Sequence, residues 1–154
     1  DATYSTGFGR VSTIFILDPW LPPAASKGSV PAITLGARLG LNTSSFAVVH
    51  SSTGSPLNNN LPTEVALNAN NSVTVTNPAA NLTKWKTTLV PATGLFSGSF
   101  ELADTGSKPR VVSFTGVLRQ PSTTPEVLIG GGHYLLPPLA GTEKTTGEIM
   151  FIRP

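Results

Sequence analysis

Two neighbouring stretches, GLFSGSFEL (94–102) and RVVSFTGVLRQ (110–120), each carry a glycine in the middle of a strand-like alternation. The alternation places Gly98 between two phenylalanines on one face of the first stretch, and Gly116 beside Phe114 on one face of the second. A glycine on an apolar face lets the strand coil sharply, or lets a ring from across the core lie over its backbone. Both roles suit a small closed sheet. In the alternative interpretation, each glycine only marks a β-bulge.

Similar strand-like segments recur along the whole chain and are separated by residues that favour turns, whereas no stretch sustains helical periodicity. We therefore predict a single all-β domain over residues 1–154, built as an antiparallel β-barrel (or sandwich) of about 8–10 short strands with essentially no helix. The pattern favours the barrel. The predicted strands cover residues 9–17, 32–41, 45–51, 64–69, 72–76, 82–91, 94–102, 110–120, 131–139 and 147–154.

The composition limits the classes of partner. Charged residues make up 12% of the chain and the formal net charge is +2, with the basic residues scattered, so nucleic acid is not an expected partner. No apolar stretch is long enough to form a membrane-spanning helix. The chain has no cysteine, so it has neither disulfides nor thiolate metal sites. The chain begins at Asp1 without an initiator Met, which suggests a processed or excised piece.

The sequence contains no recognisable catalytic motif. His50 and His133 lie far apart, without a nearby carboxylate, and are interpreted as structural or surface residues. A glycosidase would need two facing carboxylates, for which Glu101 and Glu148 are a conceivable pair. We predict no catalytic residue, no metal site and no cofactor, and expect a protein that is not an enzyme.

Aromatic residues give one candidate binding surface. Trp85 stands between two lysines and Trp20 lies in a proline-rich stretch, so that these residues, with Tyr4 and Tyr134, could form a platform for the flat faces of sugars. The competing interpretation, which we prefer for each residue, is that Trp85 covers one end of the core and Trp20 packs under its own loop. The platform would make the chain a carbohydrate-binding module of a secreted polysaccharide-degrading enzyme.

The first strand-like segment suggests a second candidate surface. Residues 1–18 include Val11, Ile14, Phe15, Ile16 and Leu17 and precede a proline hinge, so this segment could leave its own domain and complete a neighbour's sheet. The simpler alternative is an ordinary first strand of the same barrel. The candidate partners are therefore copies of the same chain, adjoining domains of a longer surface protein, or polysaccharide.

Residues 67–152 resemble a known family. The quoted stretches, with GGGHYLLP (130–137) and TGEIMF (146–151), resemble a recurrent C-terminal β-domain in large secreted or cell-surface proteins of Verrucomicrobia and related bacteria. His133 and Tyr134 depart from that pattern, which has a small residue and Phe there. The matching positions are Gly94, Phe96, Gly98, Phe100, Phe114, Gly116, Val117, Leu118, Gln120, Gly132 and Gly147.

The resemblance implies a secreted, extracellular location at the cell surface and a non-catalytic module, and it transfers no functional residues. With the low charge, it leads us to expect a structural or adhesive unit of the bacterial surface that can self-assemble. The carbohydrate-binding module remains the alternative.

Overall fold

A computed structural model describes residues 19–27, 32–41, 45–52, 64–102, 109–120, 128–136 and 145–153 of the protein. Within these ranges the chain forms a single antiparallel sheet in the order β3-β2-β1-β8-β7-β6-β5-β4. The strands are β1 (Ser45–Ser52), β2 (Glu64–Leu67), β3 (Val73–Val75), β4 (Lys86–Val90), β5 (Leu95–Leu102), β6 (Arg110–Leu118), β7 (Leu128–Leu136) and β8 (Thr145–Ile152). The terminal strands β3 and β4 approach each other, so the sheet is a nearly closed barrel. The all-β prediction is confirmed.

The glycines of β5 and β6 form reciprocal pairs with aromatic rings. Phe96 lies opposite Gly116 in the ladder, and Phe114 lies opposite Gly98, without a register shift between the two strands. A Cβ atom on either glycine would collide with the ring of its partner. The rings therefore occupy the space that the missing side chains leave, and neither glycine marks a bulge.

A third pair of the same kind links β7 to β8. Tyr134 lies opposite Gly147, and its ring fills the position that a Cβ atom on this glycine would take. The one bulge in the described ladders falls elsewhere in these two strands, between Leu128 and Gly130. We call the three combinations the glycine–ring pairs; they place large rings against the barrel's inner wall.

The rings meet in a continuous aromatic core. The centroids of Phe96 and Phe151 are 4.4 Å apart, those of Phe46 and Phe151 are 5.0 Å apart, and Phe100 meets Tyr134 edge to face at 5.3 Å. Such pairs add to the stabilisation that burial of the ring surface provides. Side chains thus fill the interior of this small barrel, as is usual at this strand number.

A helical turn closes one end of the barrel. Residues Leu35–Arg38 form α1, a single turn that begins at Thr34, whose hydroxyl accepts a hydrogen bond from the Ala37 backbone N–H. Leu35 and Leu39 are both buried in the core because their spacing puts them on one face of this turn. Gly40 follows with φ of 65°, a left-handed conformation that ends helices.

The prediction of a strand over residues 32–41 is wrong, because most of this segment forms the helical turn α1 and its ends. Only Ile33 makes a β-bridge, to Ala24, and the segment then turns helical. Capping by Thr34 and burial of two leucines one turn apart outweigh the β-branched character of the segment. The first predicted strand, residues 9–17, lies outside the described residues.

The opposite end of the barrel is closed by the loop that leads into β4. A 3-10 turn over Pro78–Ala80 is followed by Asn81, whose side chain bonds both backbone groups of Trp85. The amide Nδ2 donates to the Trp85 carbonyl at 3.0 Å, and Oδ1 accepts from the Trp85 N–H at 2.7 Å. These two bonds fix the backbone from which the Trp85 ring enters the core.

Replacing Asn81 by Ala should therefore destabilise the fold. The change leaves two partly buried backbone groups of Trp85 without their partner, which costs about 1–3 kcal/mol. Urea unfolding measures the loss. Asn70→Ala is the matched control, because Asn70 bonds only exposed groups of Ser72 in its own turn, and its effect should stay within about 0.5 kcal/mol. Equal losses in the two variants would contradict the role assigned to Asn81.

Candidate functional surface

The structure separates the residues of the predicted aromatic platform. Trp85 is 3% exposed and Tyr134 is 1% exposed, and both belong to the core. The Trp85 ring stacks on Phe114, and the Tyr134 ring covers Gly147. Neither ring presents a face to solvent, so these two residues do not form the candidate sugar-binding platform, and the burial of Trp85 agrees with the preferred interpretation that it covers one end of the core.

Trp20 is partly buried at the end of the barrel that α1 covers. Its indole Nε1 donates a hydrogen bond to the Pro91 carbonyl at 2.9 Å, and its ring lies against Gly94. Gly94 has φ of 70°, and a side chain there would meet both an unfavourable backbone conformation and the indole ring. Trp20 thus anchors the incoming chain to the β4–β5 turn, while Tyr4 lies outside the described residues.

The next residue strengthens this anchor. The backbone N–H of Leu21 donates to Oε1 of Gln120 at 3.1 Å, and Nε2 of Gln120 donates back to the Leu21 carbonyl. The incoming chain is therefore attached to β4, β5 and the end of β6 before it reaches α1. The candidate strand residues Val11, Ile14, Phe15, Ile16 and Leu17 lie outside the described residues.

A row of apolar residues crosses the outside of the barrel. Val90 on β4 lies opposite Leu95 on β5, Leu95 lies opposite Val117 on β6, and Val117 lies opposite Gly131 on β7. The row continues to Met150 on β8. We call these five residues the outer apolar row. Leu95 is 49% exposed and Val117 is 57% exposed, so about half of each of these apolar residues is open to solvent.

The middle of this row is a shallow groove of about 560 Å³. Val90, Leu95 and Val117 line one part, and Gly131 and His133 line the other. A Cβ atom built on Gly131 has no neighbour within 4 Å, so this glycine gives the groove a flat, open floor. The groove therefore offers an apolar contact surface of limited area.

The two carboxylates of the conceivable glycosidase pair lie on strands that are not neighbours. Glu101 on β5 bonds Lys84 at 2.8 Å, and Glu148 lies on β8, separated from β5 by two strands. The conceivable carboxylate pair is thus not brought together. His133 is exposed and lies opposite Glu148 in the ladder. Among the described residues, no cluster of His, Asp and Glu has the composition and proximity to hold a metal ion.

The outer apolar row could not be found from the sequence alone. The alternation of each strand predicts which residues point outward, but the row depends on which residues of five strands lie side by side. That register is visible only once the strands are paired in the sheet.

Comparisons with known proteins give no relative for this chain: it matches no protein-family model, no curated protein and no solved structure. Within the ranges that the structure describes, no helix has the length and apolarity to cross a bilayer.

Proposed function

We propose that the chain is a non-catalytic β-barrel module of a secreted bacterial protein and acts as a structural or adhesive unit at the cell surface. It makes its contacts through the outer apolar row and associates with further copies of itself. The observation that carries this proposal is the row itself, in which exposed Val90, Leu95 and Val117 stand side by side on three strands. Contiguous exposed apolar surface of this kind marks interaction sites.

Two further features support the proposal. The aromatic core fills the interior of the described barrel, so contacts between the barrel and its partners are made by the outer surface. The chain also carries few charges, 12% of its residues, and a weakly charged surface favours association over repulsion. The resemblance of residues 67–152 to a bacterial surface domain is the basis for the proposed location.

The test is the mass of the full chain by light scattering over a concentration series. We expect the wild-type mass to rise above 16.0 kDa with concentration. The double variant Leu95→Ser and Val117→Ser should stay near the monomer mass, because it removes two apolar side chains from the row. A wild-type chain that stays monomeric at every concentration would contradict association through this surface.

The chain offers a matched control for the double variant. Val111 and Leu135 are also outward, on β6 and β7, and are 59% and 51% exposed, but they lie outside the row. Replacing both by Ser changes the surface hydrophobicity by a similar amount. We expect this variant to associate as the wild type does, and an equal loss of association would show a general solubility effect.

A further inference from the structure

The outward residues of β5 and β7 around the groove are complementary in size. On β5, the large Leu95 is followed at the next outward position by the small Ser97. On β7 the order is the reverse, because Gly131 has no side chain and the next outward residue is the large His133. Each strand is therefore large where the other is small.

The ladders place these residues at matching levels on the two sides of β6. Val117 lies between Leu95 and Gly131, since both are its partners in the sheet. The next row is arranged in the same way, with Ser97 and His133 on the two sides of β6. Two strands at equal distances from β6 thus present opposite shapes at the same level.

We propose that two copies of the chain associate face to face about a two-fold axis that runs along β6, so that β5 of each copy lies on β7 of the other. Leu95 of one copy then enters the space that Gly131 of the other copy leaves open. This inference rests on the proposed function and names the arrangement of the copies. The contact occurs twice and closes at two copies, which gives a dimer.

The space above Gly131 accepts a side chain. A Cβ atom built on this glycine has no neighbour within 4 Å, and the glycine lines the groove of about 560 Å³. Leu95 is 49% exposed, so its side chain is available for a contact outside its own barrel. Placing this leucine over the glycine of a second copy removes apolar surface of both copies from water.

The other two-fold arrangement fits less well. An axis across the strands places Leu95 on Leu95 and Gly131 on Gly131. Two large side chains then compete for one space, while an unfilled cavity remains between the glycines, and both effects weaken packing. The size pattern of the two strands therefore favours the axis along β6.

The charges at the borders of the contact favour the same axis. Because a closed sheet curves away on both sides, β5, β6 and β7 form the centre of the contact and β4 and β8 form its borders. Lys86 is the charged outward residue of β4, Glu148 is that of β8, and both are exposed. The axis along β6 brings the β4 border of each copy towards the β8 border of the other, so opposite charges approach at both borders. An axis across the strands would bring like charges together.

Gly131→Leu in the full chain tests the arrangement by the sign of its effect. In the proposed dimer the new side chain takes the space that Leu95 of the other copy needs. We expect the dissociation constant of the dimer, measured by light scattering over a concentration series, to rise by about tenfold or more. A surface that associates only because it is apolar would bind more tightly, because the variant adds apolar area. Thermal unfolding verifies that the variant is folded.

Leu95→Ala and the double variant complete the cycle. Leu95→Ala alone should also weaken the dimer, because the space over Gly131 stays unfilled. The double variant, Leu95→Ala with Gly131→Leu, again combines one large and one small residue at each contact, so its dissociation constant should return to within about threefold of the wild type. Leu82→Ala is the matched control, since Leu82 lies in the loop before β4 and is 76% exposed, and it should leave the dissociation constant unchanged.

A chain without cysteine allows a second measurement. The single variants Leu95→Cys and Gly131→Cys are mixed and treated with a short reagent that links two thiols. We expect a species at twice the 16.0 kDa mass of one chain in the mixture, and much less of it when either variant is treated alone. Equal linking in the three samples, or none in the mixture, would contradict the assigned contact.

The outcomes separate the inference from the proposed function. Weaker association of both single variants with recovery in the double variant supports the inference. Tighter association of Gly131→Leu, or a double variant that associates no better than either single variant, overturns the inference and leaves the proposed function standing. A wild-type chain that stays monomeric at every concentration overturns both.

Discussion

Replacing Gly116 by Ala should lower the free energy of unfolding by about 3 kcal/mol or more. A Cβ atom at this position would collide with the Phe96 ring and with the backbone of β7, including the Cα of Gly132 at 2.6 Å. The ring could turn away, but the neighbouring backbone cannot move without distorting the ladder. One methyl group therefore has a large effect.

The measurement is thermal or urea unfolding of the variant beside Gly131→Ala. Gly131 is opposite Val117 in the adjacent ladder position, and a Cβ atom there meets nothing within 4 Å. This control should keep its stability or gain slightly, since Gly→Ala restricts the unfolded chain. For a chain of this length we expect Gly116→Ala to lower Tm by roughly 6–12 °C. Equal stability of the two variants would show that the inner wall is not packed as described.

Replacing Trp85 by Ala should cost about 3–5 kcal/mol of stability, the usual loss for a large buried aromatic side chain. Its ring stacks on Phe114 with centroids 6.2 Å apart and meets Phe151 at 6.5 Å. Removal leaves a cavity in the middle of the aromatic core. Rings that pack against each other cannot refill it without leaving their own partners.

The control for this variant is Leu82→Ala, three residues earlier in the same loop. Leu82 is 76% exposed, so its truncation should change stability by no more than about 0.5 kcal/mol. Chemical unfolding of both variants, followed by circular dichroism, measures the difference. A Trp85→Ala protein as stable as the wild type would mean that the indole lies on the surface, where a sugar could stack on it.

The sequence predicts the strands well because their alternation is strong. The inward placement of Gly98 and Gly116 and the rings around them follow from the same periodicity, and the structure confirms them. Trp85 lies just before β4, and Lys84 has φ of 49°, so strand alternation does not reach this residue. Its flanking lysines suggested a solvated face, whereas its burial follows from the loop that Asn81 holds in place.

Other features depend on contacts that no local pattern encodes. The segment 32–41 has β-forming residues, but Leu35 and Leu39 can cover the end of the barrel only from a helical turn. The sequence alone does not distinguish Tyr134 from an exposed aromatic residue. Its burial follows from its position opposite Gly147 on the next strand. The outer apolar row likewise requires the order and register of five strands.

The glycine–ring pairs also determine how the strands align. Alternation alone distinguishes the inner face from the outer face, but a slip of two residues between β5 and β6 would leave every inward-facing side chain facing inward. Such a slip would place Phe96 opposite Phe114 or Leu118 instead of Gly116, and two bulky side chains would compete for the space of one. The glycine–ring pairs therefore allow a single alignment of β5 and β6. Each of these glycines helps to set the register, because its missing side chain leaves room for the ring on the opposite strand.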